Sequence, residues 1–192
     1  EAGSQPAHLP SFDKNIVTNY MTVPLLKSVT SCNGKITLDA PNSRTDLPGD
    51  KSLSQINIFS NSDLINPQKK YSFNYNYSNG GRLTLISIDE FSSANIPSGN
   101  KYQFEYNPTQ LPNSDPNGTA INSQDLWGYY NGVYNTVLPQ TFYITSQAYG
   151  TTTIDGSDRH SDESHMQAGV LTKIIYPTGG SSLFEYEANK VY

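Results

Sequence analysis

Aromatic and polar residues alternate strictly in Tyr102-Gln103-Phe104-Glu105-Tyr106, and Tyr71, Phe73, Tyr75 and Tyr77 repeat the pattern upstream. A period of two puts one set of side chains on a single sheet face, the mark of a half-buried strand. The alternating segments come in pairs. Gly81-Arg82-Leu83-Thr84-Leu85-Ile86 is followed by Phe104-Glu105-Tyr106, and Gly169-Val170-Leu171-Thr172-Lys173-Ile174 by Phe184-Glu185-Tyr186. Looser pairs are Leu53 to Ile56 with Tyr71 to Tyr75, and Leu26 to Val29 with Ile36 to Leu38. The unit thus recurs at spacings of roughly thirty residues, except where a long insertion separates the last two.

Turn formers lie between the two strands of a unit: Asn33-Gly34 in the first, Pro97-Ser98-Gly99-Asn100 in the third, and Pro177-Thr178-Gly179-Gly180 in the last. Each unit therefore reads as a β-hairpin. Asn79-Gly80-Gly81 joins the second to the third, which predicts a continuous antiparallel meander through about residue 107. The fold class is all-β, with the aromatic rows facing a common, tyrosine-rich interior.

Residues 108–168 break the rhythm as an insertion. It holds a Pro/Asn-rich loop, the word Asp125-Leu-Trp-Gly-Tyr-Tyr-Asn-Gly132, a strand at 141–149, and a polar stretch into a short helix over 161–168 with Ser161 as N-cap. Residues 1–24 are read as irregular, and 25–192 as one hairpin-repeat domain. The pattern runs on through Ser182 to Tyr192 without the atypical polar cap that closes repeat arrays, so a longer polypeptide is expected.

Composition sharpens this picture. Charged residues make up 15%, and Tyr outnumbers Phe by 14 to 7, which favours strands and turns over helices. A net charge of −5 without a Lys/Arg run argues against nucleic acid as a partner. The single Cys32 excludes an intrachain disulfide and a Cys-based metal site. No segment is apolar for long enough to predict a membrane-spanning helix.

Candidate chemistry is sparse. Trp127, Tyr129, Tyr130 and Tyr134, with Asp125 and Asn131, have the residue types of a sugar-stacking platform: ring faces for pyranose C–H surfaces, polar groups for hydroxyls. The competing and favoured reading has Trp127 and Tyr129, which share strand parity, packed against the end of a sheet. Asn113 to Gly118 has calcium-loop spacing without the acidic twelfth residue, where Gln124 stands, and reads as an Asx-rich turn. Asp158, His160, Asp162, Glu163 and His165 gather titratable groups without metal-site spacing and read as a solvated loop. No catalytic constellation, metal site or cofactor motif is predicted.

Tyr77-Ser78-Asn79-Gly80-Gly81-Arg82-Leu83 resembles the Y-D-x-x-G-R-L core of tyrosine-aspartate (YD) repeats in rearrangement-hotspot (RHS) proteins, with Ser78 where Asp is usual. Gln124 to Gly132, Gly169 to Gly180 and Phe184 to Glu187 resemble a segment of very large exported RHS-like proteins of the Bacteroidetes, over roughly residues 25–192. The resemblance implies a secreted or cell-surface location and a non-catalytic scaffold whose partner is the remainder of the same polypeptide. The alternative it leaves open is a module binding surface glycans through residues 125–134.

Overall fold

The structure is a computed structural model that describes residues 24–93, 95–113, 122–135, 137, 139–140, 142–146 and 150–188. It is nearly all antiparallel β. The strands, in chain order, are β1 (Ser28–Ser31), β2 (Gly34–Asp39), β3 (Asn42–Ser43), β4 (Lys51–Ser52), β5 (Gln55–Ser60), β6 (Lys69–Asn79), β7 (Arg82–Ser92), β8 (Pro97–Tyr106), β9 (Phe142–Ser146), β10 (Gly150–Ile154), β11 (Leu171–Ile175) and β12 (Ser181–Leu183). Eight form one sheet in the order β1-β2-β5-β6-β7-β8-β11-β12, and β3/β4 and β9/β10 form separate two-stranded ribbons.

Neighbours in the large sheet follow one another along the chain, so it is a meander. The links 32–33, 61–68 and 176–180 lie at one end, as does the link from β7 to β8. The two-glycine turn 80–81 and the longer links, 40–54 and 107–170, lie at the other end. The glycines that open the two G-x-L-T segments, Gly81 and Gly169, both stand at positive φ (73° and 70°), just before β7 and β11. In each case the chain turns sharply and then runs straight into a strand, a conformation that an L side chain disfavours.

Register places Ile36, Ile58, Ile56, Tyr71, Phe73, Ile88, Tyr102, Phe104 and Ile174 on one face. The opposite face is mainly polar and carries cross-strand hydrogen bonds. Asn57 donates to Thr37 Oγ1 (3.1 Å) and Asp39 Oδ2 (2.9 Å), and Asn74 donates to Ser87 Oγ (3.0 Å). Lys101–Asp89 and Lys173–Glu105 ion pairs continue the row.

The expected tyrosine-rich interior is not found among the described residues. The aromatic rows of β6 and β8 do share a face, but their side chains are only partly covered, and Ala168 is the sole buried apolar residue among those described. Among the described residues, the sheet has no second layer to bury its apolar side. The loop 40–50 covers one corner: Thr45 N–H donates to Tyr77 Oη (3.3 Å), and Leu83 N–H donates to Asp46 Oδ2 (2.9 Å). Phe184 and Tyr186 lie beyond β12 and are exposed.

Three local expectations need correction. Residues 161–168 form successive turns instead of a helix. Asp162 Oδ1, not Ser161, accepts the free N–H groups of Ser164 (2.8 Å) and His165 (3.2 Å). Pro97 to Asn100 belongs to β8; the turn precedes it and is closed by Ser92 N–H donating to Ile96 O (2.9 Å). Thr151 to Ile154, read as part of a polar stretch, pairs with β9 as β10.

Candidate functional site

The insertion is organised by polar residues. Gln124 and Tyr130 form an antiparallel bridge, and between them Gly128 N–H donates to Asp125 O (3.2 Å) and Asp125 N–H to Tyr129 O (2.8 Å). Asp125 is only 1% exposed. Its Oδ1 accepts the Trp127 and Tyr129 N–H groups, both at 2.9 Å, and its Oδ2 accepts the Ser161 hydroxyl at 2.6 Å. Burial pushes this carboxyl's pKa up, but hydrogen bonds from Ser161 and from the Tyr129, Trp127 and Gly128 backbone outweigh it, and the pKa is lowered. The charged form holds the loop closed.

A second polar layer fastens this loop to residues 157–161. Arg159 Nε donates to Asp125 O (3.1 Å), and Leu126 N–H returns a bond to Arg159 O (3.2 Å). Buried Asn131 donates to Asp158 O (2.9 Å) and His160 O (3.2 Å). Buried Asn135 donates to Asn122 O (3.0 Å) and Asp158 O (2.8 Å), and its Oδ1 accepts Asp158 N–H at 3.0 Å. Among the described residues, no buried side-chain nitrogen or oxygen lacks a partner. These bonds do what apolar packing does elsewhere, because a satisfied buried network fixes one geometry.

The six residues singled out in the sequence therefore divide. Asp125 and Asn131 face inward and are engaged, Asp125 by two backbone N–H groups and the Ser161 hydroxyl and Asn131 by backbone alone. Tyr130 meets the His165 ring edge-on, with centroids 5.4 Å apart. Trp127, Tyr134 and Tyr129 point to solvent, at 81%, 73% and 53% exposure. Trp127 is thus not packed against the sheet, contrary to the favoured reading. Residues 125–129 form a tight loop, so the alternation of Trp127 and Tyr129 is not that of a strand.

Four of the five residues of the titratable cluster form two pairs. His160 Nδ1 lies 2.7 Å from Asp158 Oδ1, and His165 Nδ1 lies 3.1 Å from Asp162 Oδ1. The Ser164 hydroxyl and His165 hold Asp162 down at a pKa of about 2. The His160 N–H and ring lower Asp158. No group of three or more His, Cys, Asp or Glu side chains among the described residues is placed to hold a metal. Of the calcium-like turn, only Asn113 lies within the described residues.

Sequence reading also missed a groove of about 780 Å³ at the β1/β2 edge, lined by residues that include Leu25, Leu26, Lys27, Leu38, Pro41 and Gln55. It does not involve the 125–134 loop. No helix among the described residues is long and apolar enough to cross a membrane. No family model matches this chain, and neither a curated protein nor a solved structure is found that is similar to it.

Proposed function

We propose that this chain is a non-catalytic scaffold segment of a larger secreted or cell-surface bacterial protein of the YD-repeat/RHS-like kind, covered in place by the remainder of the same polypeptide. One observation carries the reading: an eight-stranded sheet presents an apolar face that the described residues cover only in part. Contiguous apolar surface on this scale marks an interaction face, because exposing it to water is unfavourable. The test is sedimentation of the isolated chain beside titration with a hydrophobic dye. The scaffold reading expects concentration-dependent association and dye binding by the native state. A monomer that binds no dye would overturn it.

A second reading is favoured by the outward rings of the 125–134 loop. Trp127 stands on a backbone held by Asp125, so its ring is presented at little ordering cost, as a sugar-stacking residue requires. The hydroxyl partners would then be the Tyr129 and Tyr134 phenols, since Asp125 and Asn131 are engaged. A glycan array decides: saturable binding lost in Trp127→Ala supports this module, and no binding by the wild type removes it.

A further inference from the structure

Asn-Gly occurs at Asn33, Asn79 and Asn131 within the described residues, and again at Asn117 outside them. In this pair the glycine nitrogen can attack the asparagine side-chain amide, because no Cβ shields the approach. The fold treats the three described pairs differently. Asn131 is 2% exposed; it donates to Asp158 O and His160 O and accepts Val133 N–H at 3.3 Å. Asn79 Oδ1 accepts Leu111 N–H at 2.9 Å, and its amide sits against Gly169, where a Cβ would fall 2.5 Å from Nδ2. Neither side chain can swing toward its own following nitrogen without breaking these contacts.

Asn33 is exposed in the two-residue turn between β1 and β2. Among the described residues, the only hydrogen bond to its side chain is a weak one, from Cys32 Sγ to Oδ1 at 3.7 Å. That S–H donation draws electron density from Cγ and leaves Nδ2 free to depart. We propose that Asn33 is a spontaneous deamidation site in the folded protein. The Gly34 nitrogen gives up its proton and bonds to Asn33 Cγ. The Cγ–Nδ2 bond then breaks, and ammonia leaves with the proton. Water opens the resulting cyclic imide at either carbonyl, giving aspartate or isoaspartate. No oxidant or cofactor enters, and the chain gains one negative charge.

The isoaspartyl product lengthens the main chain of a turn that cannot absorb it. Gly34 already lies so close to the Phe59 carbonyl oxygen that a Cβ would overlap it. Strand β1 is four residues long and, among the described strands, pairs with β2 alone. Deamidation therefore detaches the edge of the sheet and leaves the centre in place.

The test incubates the folded chain in mildly alkaline buffer beside a urea-denatured control, with peptide mapping and isoaspartyl-specific methyl labelling. Conversion at Asn33 is expected to run at least about tenfold ahead of Asn79 and Asn131, which must wait for local opening. Asn33→Gln removes the product, and in the converted fraction the β1 amides lose exchange protection. Equal or faster conversion at Asn79 or Asn131 overturns the proposal. So does an intact Asn33 in the folded chain over an interval in which the denatured control converts.

Discussion

Two aspartates carry most of the individual weight. The Arg44 guanidinium, hydrogen-bonded to Asp46 at 2.7 Å, holds that carboxyl at a pKa of about 2 against the cost of burial, and the Leu83 N–H adds to the effect. A depressed carboxylate stabilises the fold fully above its ordinary range, and that contribution is lost as pH falls from about 4 toward 2. Asp46→Asn should cost about 2 kcal/mol at neutral pH and flatten the acid limb of urea midpoints measured against pH. Asp125→Ala removes the acceptor for two backbone N–H groups and a hydroxyl, and should cost about 3 kcal/mol in denaturant titrations. Trp127→Ala should shift stability by less than about 0.5 kcal/mol, since its ring touches mainly water. The role of Asp125 was hard to read because its partners are two main-chain N–H groups and a hydroxyl 36 residues away, which no local side-chain pattern reports. The available signal was Asn or Asp at 122, 125, 131 and 135, residues that seize nearby backbone wherever a chain bends.

Among the elements, the strands with aromatic alternation (β6 and β8) were legible because period two and burial reinforce each other. Strand β10 was not, since Thr151 to Thr153 offers no polar alternation and its pairing partner β9 supplies the reason to extend. Pro97 to Asn100 has turn composition yet sits in β8. A register shift between Asp89 and Phe91 admits Pro97 at the strand's start, where its missing N–H costs nothing. The 161–168 segment was read as a helix from its acidic start, but Ser161 is drawn off to Asp125 and only one hydrogen bond there spans four residues, Met166 N–H to Asp162 O. Packing between strands also makes a sharp prediction at Gly34, whose φ of 156° and contact with Phe59 O leave no room for a side chain. Gly34→Ala should release β1 and β2 from β5, seen as lost amide protection in those strands, while β6 to β8 stay protected.

At the scale of the whole sheet, one apolar and one polar face were foreseeable from the alternation, but the absence of a covering layer among the described residues was not. Sequence specifies which face is apolar and is silent on what meets it. Ile36→Thr with Tyr102→Thr lightens that face at two part-exposed positions and should cut dye binding and self-association while costing about 1 kcal/mol. The placement of residues 107–170 carries a different implication. Tyr106 pairs directly with Leu171, and Asn107 N–H donates to Val170 O at 2.9 Å, so the chain leaves and re-enters the sheet through one ladder position. Closing that loop costs roughly 2 kcal/mol more than closing a tight turn. In evolutionary terms the β8/β11 junction is a socket: whatever occupies it can be exchanged, lengthened or trimmed without renumbering a single strand pair on either side.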